Sequence, residues 1–307
     1  MVTVRPTSEE DAPELDRLFR ARFGHPFSLE AWRWKYRLLP GEARSLVAID
    51  EQGRLLAHAG STAVPARWRG REGLLWQGVD FVSGNGGGRP GLAPPILAVG
   101  RRLLGDLPRP GDLPWNYGFP SGRHQRLGEH RLGYRQAGWI RVWEGALPAG
   151  AAAGVCWSEV AGEWCRQAWE ACGAPGTVRS VAYLDWRYRA RPGRHYRFYR
   201  LPGAGIDGLV VAAFVGAEAW LAEIWLPSGV RWRPALAAVG ADLAAAGLTH
   251  WKTWPPAAAC GGEELLADLG LAPNGDRFLI CCRGFAGTDR RHEAAELCYL
   301  MGDYDVV

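Results

Sequence analysis

The chain of 307 residues lacks the long apolar runs that membrane-spanning helices require. No run reaches the roughly 18 residues needed to cross a bilayer, and residues 1–14 contain no apolar signal-peptide core. We therefore expect a cytoplasmic protein without a membrane span. The hydrophobic content of 48% and the charged content of 22% are those of a globular protein, and the length allows two domains.

The chain also lacks a strong charge of either sign. Its formal net charge is +4, and its arginines are scattered among acidic residues without a basic run. Nucleic-acid-binding proteins concentrate positive charge on one face, so we expect no nucleic-acid partner.

Metal and nucleophile motifs are missing as well. The seven cysteines are odd in number and contain no Cys-x-x-Cys, so we expect neither a disulfide framework nor a zinc site. Cys156, Cys165 and Cys172 fall on or beside one predicted helix and are interpreted as small apolar fillers. No Gly-x-Ser-x-Gly is present to indicate a nucleophile elbow.

The stretch that is most informative runs from residue 74 to residue 104. Leu74–Ser83 reads as a buried strand, residues 84–93 as a loop with five glycines, and residues 94–104 as an amphipathic helix that opens on two prolines. Glycines directly before a helix leave backbone N–H groups pointing outward at the positive end of the helix dipole. This arrangement binds phosphate, and Arg89 adds a charge that pairs with a pyrophosphate.

The loop matches neither common phosphate-binding motif. It has no Gly-Lys-Ser/Thr ending, and its Gly-x-Gly-x-x-Gly (Gly86, Gly88, Gly91) is not followed by a βαβ unit with an acidic ribose partner. An ordinary glycine-rich surface loop therefore remains an alternative.

The remaining elements of the first half are read from hydrophobic periodicity and turn signals. The predicted order is helices, antiparallel strands, strand–loop–helix, strand, helix, strand. The predicted ranges are Val2–Arg5, Glu9–Arg22, Leu29–Arg37, Ser45–Ile49, Leu55–Pro65, Trp115–Phe119, Ser121–Leu132 and Trp139–Leu147.

The second half repeats this plan. Trp34-Lys-Tyr36 and Pro40-Gly41 correspond to Trp186-Arg-Tyr188 and Pro192-Gly193, so that residues 34 and 186 and residues 40 and 192 are each 152 positions apart. Helices, a hairpin and the central strand match at nearly the same offset, which predicts a duplicated domain. The second copy has LPSGVRWRPALA where the first has GNGGGRPGLA, so only the first is expected to keep a phosphate loop.

This order of elements resembles the GNAT superfamily of acyltransferases. In that family the fourth strand enters a Gln/Arg-x-x-Gly-x-Gly/Ala loop that holds the pyrophosphate of acyl-CoA. Residues 88–93 fit its Gly and Ala positions, with Gly88 in the first place and Arg89 one place later. Asn116-Tyr-Gly-Phe-Pro-Ser121, with the helix after it, resembles the fifth strand and fourth helix of the family.

The two copies look like bacterial tandem-GNAT proteins related in architecture to Fem-type transferases. The resemblance implies an α+β fold of two tandem GNAT-like domains, each a mostly antiparallel central sheet flanked by helices. The predicted domains are residues 1–150, with the acyl-CoA loop, and residues 151–307, a degenerate copy.

The resemblance also implies the donor-binding residues. Acetyl-CoA or another acyl-CoA would be held without a metal ion, as a donor substrate. The predicted contacts are Phe81, Val82, Ser83, Gly88, Arg89, Pro90, Gly91, Leu92 and Ala93.

Two residues are candidates for the chemistry of acyl transfer. Asp80 lies near the end of the central strand and is the candidate general base, directly or through water; a strand-end carboxylate satisfied by backbone N–H groups is the alternative. The resemblance to the GNAT superfamily implies Tyr117 as the acid for the thiolate, with a buried core tyrosine as the alternative. Trp115, Asn116 and His124 are candidate acceptor contacts, although packing is the simpler role for Trp115.

Three functions remain open from the sequence. The first is an N-acyltransferase acting on a primary amine of a small molecule, amino sugar or amino acid, as a monomer or homodimer. The second is a non-catalytic binding or scaffold protein, and the third is a Fem-type aminoacyl transferase, which the small net charge disfavours. The acidic tail Gly302–Asp305 is expected to be exposed, with a tail that folds back into a cleft between the domains as the alternative.

Overall fold

The computed structural model describes residues 2–84, 94–105, 107–148 and 156–304. The chain forms two compact units, each built from three segments. The first unit draws on Met1–Ala66, Arg71–Gly138 and Leu279–Ala295. The second draws on Arg67–Gly70, Trp139–Phe278 and Glu296–Val307.

The helices and strands follow one another in chain order. In the first half they are β1 (Thr3–Pro6), α1 (Ala12–Phe23), α2 (Leu29–Arg37), β2 (Glu42–Ile49), β3 (Leu55–Trp68), β4 (Arg71–Ser83), α3 (Pro95–Gly105), β5 (Asp112–Gly118), α4 (Gly122–Arg131) and β6 (Arg135–Ala146). In the second half they are β7 (Cys156–Ser158), α5 (Glu163–Cys172), β8 (Gly176–Thr177), α6 (Val181–Leu184), β9 (Tyr196–Leu201), β10 (Gly208–Val215), β11 (Glu218–Trp225), α7 (Trp232–Ala245), β12 (His250–Thr253), α8 (Gly262–Asp268), β13 (Ala272–Gly284) and α9 (Arg291–Ala295).

The sheet of the first unit has the strand order β1-β2-β3-β4-β5, followed by the C-terminal part of β13. β1 and β2, β2 and β3, and β5 and β13 pair antiparallel, whereas β4 and β5 run parallel. α1 and α3 cover this sheet through apolar side chains. One cluster joins α1 to β2, β3 and β4, and consists of Leu15, Leu18, Phe19, Val47, Leu55 and Val82.

Local sequence explains where α1 lies. A short 3₁₀ turn, Glu9–Asp11, precedes it, so the predicted helix from Glu9 is divided in two. The Asp11 carboxylate accepts a hydrogen bond from the backbone N–H of Ser8 (2.9 Å). The helix ends at Phe23 because Gly24 takes a left-handed φ of 74°, which glycine adopts without a Cβ clash.

The second unit repeats the strand pattern of the first. Its order is β6-β12-β11-β10-β9-β7. β11 and β12 run parallel, whereas β6 and β12, β10 and β11, β9 and β10, and β7 and β9 pair antiparallel. β11 therefore corresponds to β4, and β12 corresponds to β5. The predicted duplication of this pattern is visible in the register of the two sheets.

The unit boundaries differ from a single division at residue 150. The strand after α4, β6, pairs with β12 of the second unit, whereas the strand beside β5 is β13 (Cys281 with Gly118, Gly284 with Trp115). Each unit thus takes its last strand from the other half of the chain. The predicted strand Trp139–Leu147 exists, but it does not close the first unit.

The C-terminal segment also differs from expectation. Gly302 and Asp303 are buried in the second unit, where Asp303 pairs with Arg179 (2.8 Å). The expected exposed tail is wrong for these two residues, because Asp303 forms an ion pair with the buried Arg179 guanidinium. Asp305 lies outside the described residues.

Candidate functional site

The candidate site begins where β4 passes the end of β5. The last pair in the described register of the two strands is Gln77 with Tyr117, and β4 continues to Ser83. On its other side β4 stays close to β3, since the N–H of Gly84 donates to the carbonyl of Leu56 (3.0 Å). Among the described residues, β4 therefore has no register partner on the β5 side beyond Gln77.

Asp80 interrupts this part of β4 with an unusual backbone conformation. Its φ is +54°, a left-handed value that is uncommon for residues other than glycine. Such strain persists where the surrounding contacts hold it, and it is frequent at functional sites.

Two side chains of α2 hold the Asp80 carboxylate. Lys35 Nζ donates to both oxygens, Oδ1 and Oδ2, at 3.0 Å. The Tyr36 hydroxyl donates to Oδ2 at 2.7 Å. The side chains of Lys35 and Asp80 are only 13% and 16% exposed, so this ion pair is shielded from water without being sealed. The three donated hydrogen bonds occupy most of the carboxylate.

Gly60 on β3 makes room for Tyr36. A Cβ atom at this position would lie 1.8 Å from the Tyr36 hydroxyl oxygen and 2.5 Å from Cζ of its ring. Glycine is therefore required here for the tyrosine to reach Asp80.

His58 supports the backbone of Asp80 from β3. Its Nδ1 lies 3.0 Å from the Asp80 carbonyl oxygen, and its Nε2 lies 2.8 Å from the Ser45 hydroxyl. Because a carbonyl can only accept, we assign the proton to Nδ1, which leaves Nε2 to accept from Ser45. The ring is completely buried, and burial lowers the pKa of His58 despite the attraction of Asp80.

These neighbours also set the charge of Asp80. Burial alone would raise the pKa of the Asp80 carboxyl, but the charge of Lys35 and the hydrogen bonds from Lys35 and Tyr36 outweigh it and hold the pKa below its ordinary value. Asp80 is therefore a carboxylate at neutral pH, able to accept a proton or to bind a cation.

The other predicted catalytic residue, Tyr117, lies on β5. It is 2% exposed, and its ring meets Phe119 edge-on with centroids 5.7 Å apart. It pairs with Gln77 at the last register position before β4 passes β5. Its role as the acid is a prediction.

Trp115 and Asn116, predicted to contact the acceptor, are completely buried on β5. The Asn116 side-chain N–H donates to the Tyr134 hydroxyl (2.8 Å), and burial raises the pKa of Tyr134 to about 12. In this structure neither Trp115 nor Asn116 is accessible to an acceptor, so these contacts favour packing. His124 lies in the first turn of α4, partly exposed, with Nδ1 3.4 Å from the Ser121 hydroxyl.

The predicted donor-binding residues are described only in part. Val82 is buried in the core beside α1, Phe81 is partly buried, and the Ser83 carbonyl accepts a hydrogen bond from Arg22 Nε (2.7 Å). The remaining predicted residues lie outside the described residues: Gly88, Arg89, Pro90, Gly91, Leu92 and Ala93. α3 begins at Pro95, directly after that stretch.

The second unit contains an equivalent tyrosine–carboxylate pair. Tyr188 is 152 positions after Tyr36, and its hydroxyl donates to Glu223 Oε1 on β11 (2.6 Å). Gly302 leaves room for that hydroxyl, since a Cβ there would lie 2.0 Å from it.

Sequence reasoning missed the partners of Asp80. Lys35, Tyr36, Gly60 and His58 are not among the predicted site residues, although the Trp-x-Tyr triplet of α2 marks the repeat. Part of the signal was present, because Tyr36 and Tyr188 occupy matching places ahead of the acidic residues of β4 and β11. The separations differ, 44 positions in the first copy (80 − 36) and 35 in the second (223 − 188), so the sequence alone does not pair Tyr36 with Asp80.

No helix among the described residues is both long and apolar enough to cross a membrane. No group of three or more His, Cys, Asp or Glu side chains among them is placed to hold a metal ion.

Comparison with known proteins identifies the fold. No protein-family model matches the chain, and no curated protein matches it. Solved structures, in contrast, do match the chain. A GCN5-related N-acetyltransferase from Anabaena variabilis is 14% identical, with a TM-score of 0.61 over 92% of this chain and 72% of that one. A GCN5-related N-acetyltransferase from Kribbella flavida is also 14% identical, with a TM-score of 0.61 over 92% of this chain and 71% of that one.

A tandem GNAT protein from the clavulanic acid biosynthesis pathway is also similar. It is 12% identical, with a TM-score of 0.57 over 94% of this chain and 100% of that one. The chain therefore has the GNAT fold, and the predicted class, an α+β fold with a mostly antiparallel sheet flanked by helices, is confirmed. At such identities the similarity establishes the fold alone.

Proposed function

We propose that the protein is an acyl-CoA-dependent N-acyltransferase that acts on a primary amine of a small molecule, an amino sugar or an amino acid. The observation that carries this proposal is the end of β4. There the strand passes β5, carries the strained Asp80 and leads toward the predicted loop 88–93 and the first turn of α3. A helix start of this kind favours the diphosphate of CoA.

In this proposal the reaction is a direct transfer. The amine nitrogen forms a bond to the thioester carbon, and the C–S bond then breaks. Asp80 accepts the proton that the nitrogen loses, directly or through water, and the Tyr117 hydroxyl gives a proton to the departing thiolate. Backbone N–H groups near Val82 and Ser83 stabilise the oxyanion. The lowered pKa of Asp80 means that it acts once the new bond has made the nitrogen acidic.

Lys35 has a supporting part in this scheme. It keeps Asp80 ionised through its charge and its two hydrogen bonds.

The test uses thiol release from acetyl-CoA with a panel of primary amines. Replacing Asp80 by Asn should lower kcat/KM by roughly 10²–10⁴-fold, the range for a general base, while calorimetry shows an unchanged Kd for acetyl-CoA. The matched control is Asp242→Asn. Asp242 accepts from the Tyr199 hydroxyl and Arg197 Nη1, both at 2.7 Å, and its side chain is 20% exposed.

Two results would remove the proposal. One is the absence of acetyl-CoA binding at millimolar concentration by the folded protein. The other is turnover that falls equally in the Asp80→Asn and Asp242→Asn variants, because a loss common to both reports stability.

One observation favours the non-catalytic alternative. Three hydrogen bonds from Lys35 and Tyr36 already occupy the Asp80 carboxylate, as expected for a structural ion pair. A binding module would bind its ligand with unchanged affinity in the Asp80→Asn and Tyr117→Phe variants and would release no thiol from acetyl-CoA with any amine.

A further inference from the structure

A cavity of about 580 Å³ lies within the first unit, apart from Asp80 and its partners. The C-terminal part of α3, the segment after α4, the end of β13 and the loop before α9 line it. We call it the arginine pocket, after the charged residues of its wall: Arg101, Arg131, Arg135, Arg283, Arg290 and Asp289.

The charge of this pocket is one-sided. Among the described residues, the guanidinium groups of Arg101, Arg131, Arg135 and Arg283 form no ion pair. Asp289 is the single acid among the described residues of the wall, and its carboxylate is held by Arg291 Nε at 2.9 Å and 3.1 Å. Four unpaired cations around one concavity repel one another, and bound negative charge would relieve that repulsion.

Arg290 gives a second indication of a ligand. Its Nη1 donates to Glu293 (2.7 Å), but its buried Nε has no hydrogen-bond partner in the part of the chain that the structure describes. A buried N–H without a partner is costly, and an anion in the adjacent cavity can accept from it.

The pocket is distinct from the predicted acyl-CoA loop. α3 begins at Pro95, beside that loop, and rises about 1.5 Å per residue, which puts Arg101 and Gly105 roughly 9 Å and 15 Å further along its axis. None of the Asp80 contacts belongs to the wall of the pocket.

We propose that the arginine pocket binds a small organic anion with two or more phosphate groups. Guanidinium groups match phosphate oxygens in pairs, and tetrahedral phosphate accepts from several directions, whereas a planar carboxylate accepts in one plane. The described residues of the wall include no aromatic side chain, so a nucleobase would have nothing there to stack on. The volume accommodates a ligand of metabolite size.

The test is calorimetric titration of the full chain with inorganic tripolyphosphate at constant ionic strength. We expect one site per chain and a rise in Tm. The double variant Arg131→Gln/Arg135→Gln should bind at least about 100-fold more weakly, roughly tenfold for each lost charged hydrogen-bond donor. Both residues are exposed, so the variant should fold.

The matched control is Arg71→Gln/Arg126→Gln, which removes the same charge from exposed arginines outside the pocket, one of them on α4. It should keep the wild-type affinity. If tripolyphosphate binding weakens equally in both double variants, the attraction is non-specific. If the folded wild-type protein shows neither a heat of binding nor a rise in Tm with tripolyphosphate, the pocket is not a binding site.

Two further titrations define the ligand. Citrate that binds more tightly than tripolyphosphate would overturn the phosphate class. Displacement of tripolyphosphate by acetyl-CoA would assign the anion to the donor site instead. The affinity of the Arg131→Gln/Arg135→Gln variant for tripolyphosphate is measured without any acyl transfer. Its outcome is therefore independent of the proposed function.

Discussion

The two units of the chain hold a tyrosine and a carboxylate in the same relation, but they surround the pair differently. In the first unit, Tyr36 and Lys35 bind Asp80 at a place that retains some contact with water. In the second, Tyr188 binds Glu223, which is completely buried. The tyrosine–carboxylate pair is therefore partly exposed in the first unit and fully buried in the second.

The buried pair has a larger set of hydrogen bonds. Arg179 Nε donates to both oxygens of Glu223 at 2.9 Å, its Nη2 reaches Asp303 at 2.8 Å, and the Trp225 indole N–H donates to Glu223 at 2.7 Å. Burial raises the pKa of Glu223 even beside Arg179, whereas the pKa of Asp80 is lowered. The pair is thus fully buried and heavily hydrogen-bonded in the second unit, and partly exposed in the first.

The largest expected effect comes from separating the halves. A fragment of residues 1–150 lacks β13 beside β5, and a fragment of residues 151–307 lacks β6 beside β12. We expect neither to unfold cooperatively by circular dichroism when purified alone, and we expect coexpression to restore a stable complex. A cooperative transition in the 1–150 fragment would show that its own elements suffice.

The next effect compares the two ion pairs. Arg179→Met leaves the Glu223 and Asp303 carboxylates buried without their cation, so the free energy of unfolding should fall by about 3–5 kcal/mol. Lys35→Met affects a partly hydrated pair and should cost less, roughly 1–2 kcal/mol. Urea unfolding at pH 7 measures both, and equal losses would contradict the difference between the units.

A smaller effect concerns the glycines that face the tyrosines. A Cβ at Gly302 would meet the Tyr188 hydroxyl at 2.0 Å and the Ala222 carbonyl at 2.9 Å, while the three atoms nearest to a Cβ at Gly60 all belong to the Tyr36 side chain. Both alanine variants should be destabilised, by about 1–3 kcal/mol, with Gly302→Ala the worse. Gly122→Ala, which has open space around it, is the control for thermal unfolding.

The smallest effect is a pH dependence of the first unit. The pKa of His58 is lower in the folded protein than in the unfolded chain, so the unfolded chain binds more protons below about pH 6.5. Its contribution to stability is present above that pH and is lost as the pH falls, by at most about 1.4 kcal/mol per pH unit. His58→Gln should flatten this slope in urea titrations between pH 7 and 5. The exposed His130→Gln variant should keep it.

The repeat and several elements follow from sequence, and the long-range pairings do not. The bounds of α2 agree with prediction because Ser28 caps its start and its apolar side chains have helical spacing. The strand Trp139–Leu147 was predicted inside the first domain, residues 1–150, in keeping with the rule that consecutive elements usually lie next to each other. Its periodicity is the same whether it pairs with β5 or with β12. No feature of the sequence within this strand could have corrected that prediction.

The candidate site shows the same limit. The position of Asp80 near the end of β4 was predictable, since a strand can be read from its own residues. Its contacts with Lys35 and Tyr36, 45 and 44 positions earlier, depend on how α2 packs and on the space that Gly60 leaves. Trp115 and Asn116 were candidate acceptor contacts from the sequence, with packing as the simpler role for Trp115. The addition of β13 and Tyr134 around β5 buries them.

The exchange of final strands has a consequence for how the protein is made. Domains ordinarily fold in the order in which they leave the ribosome. Here the N-terminal sheet waits for Leu279–Gly284, which begins 161 positions after Gly118 (279 − 118), so the edge of β5 stays uncovered until the ribosome has made that stretch. During that interval the nascent chain exposes an unpaired strand edge to other chains. The yield of folded protein in a cell therefore depends on how well that edge is protected from aggregation.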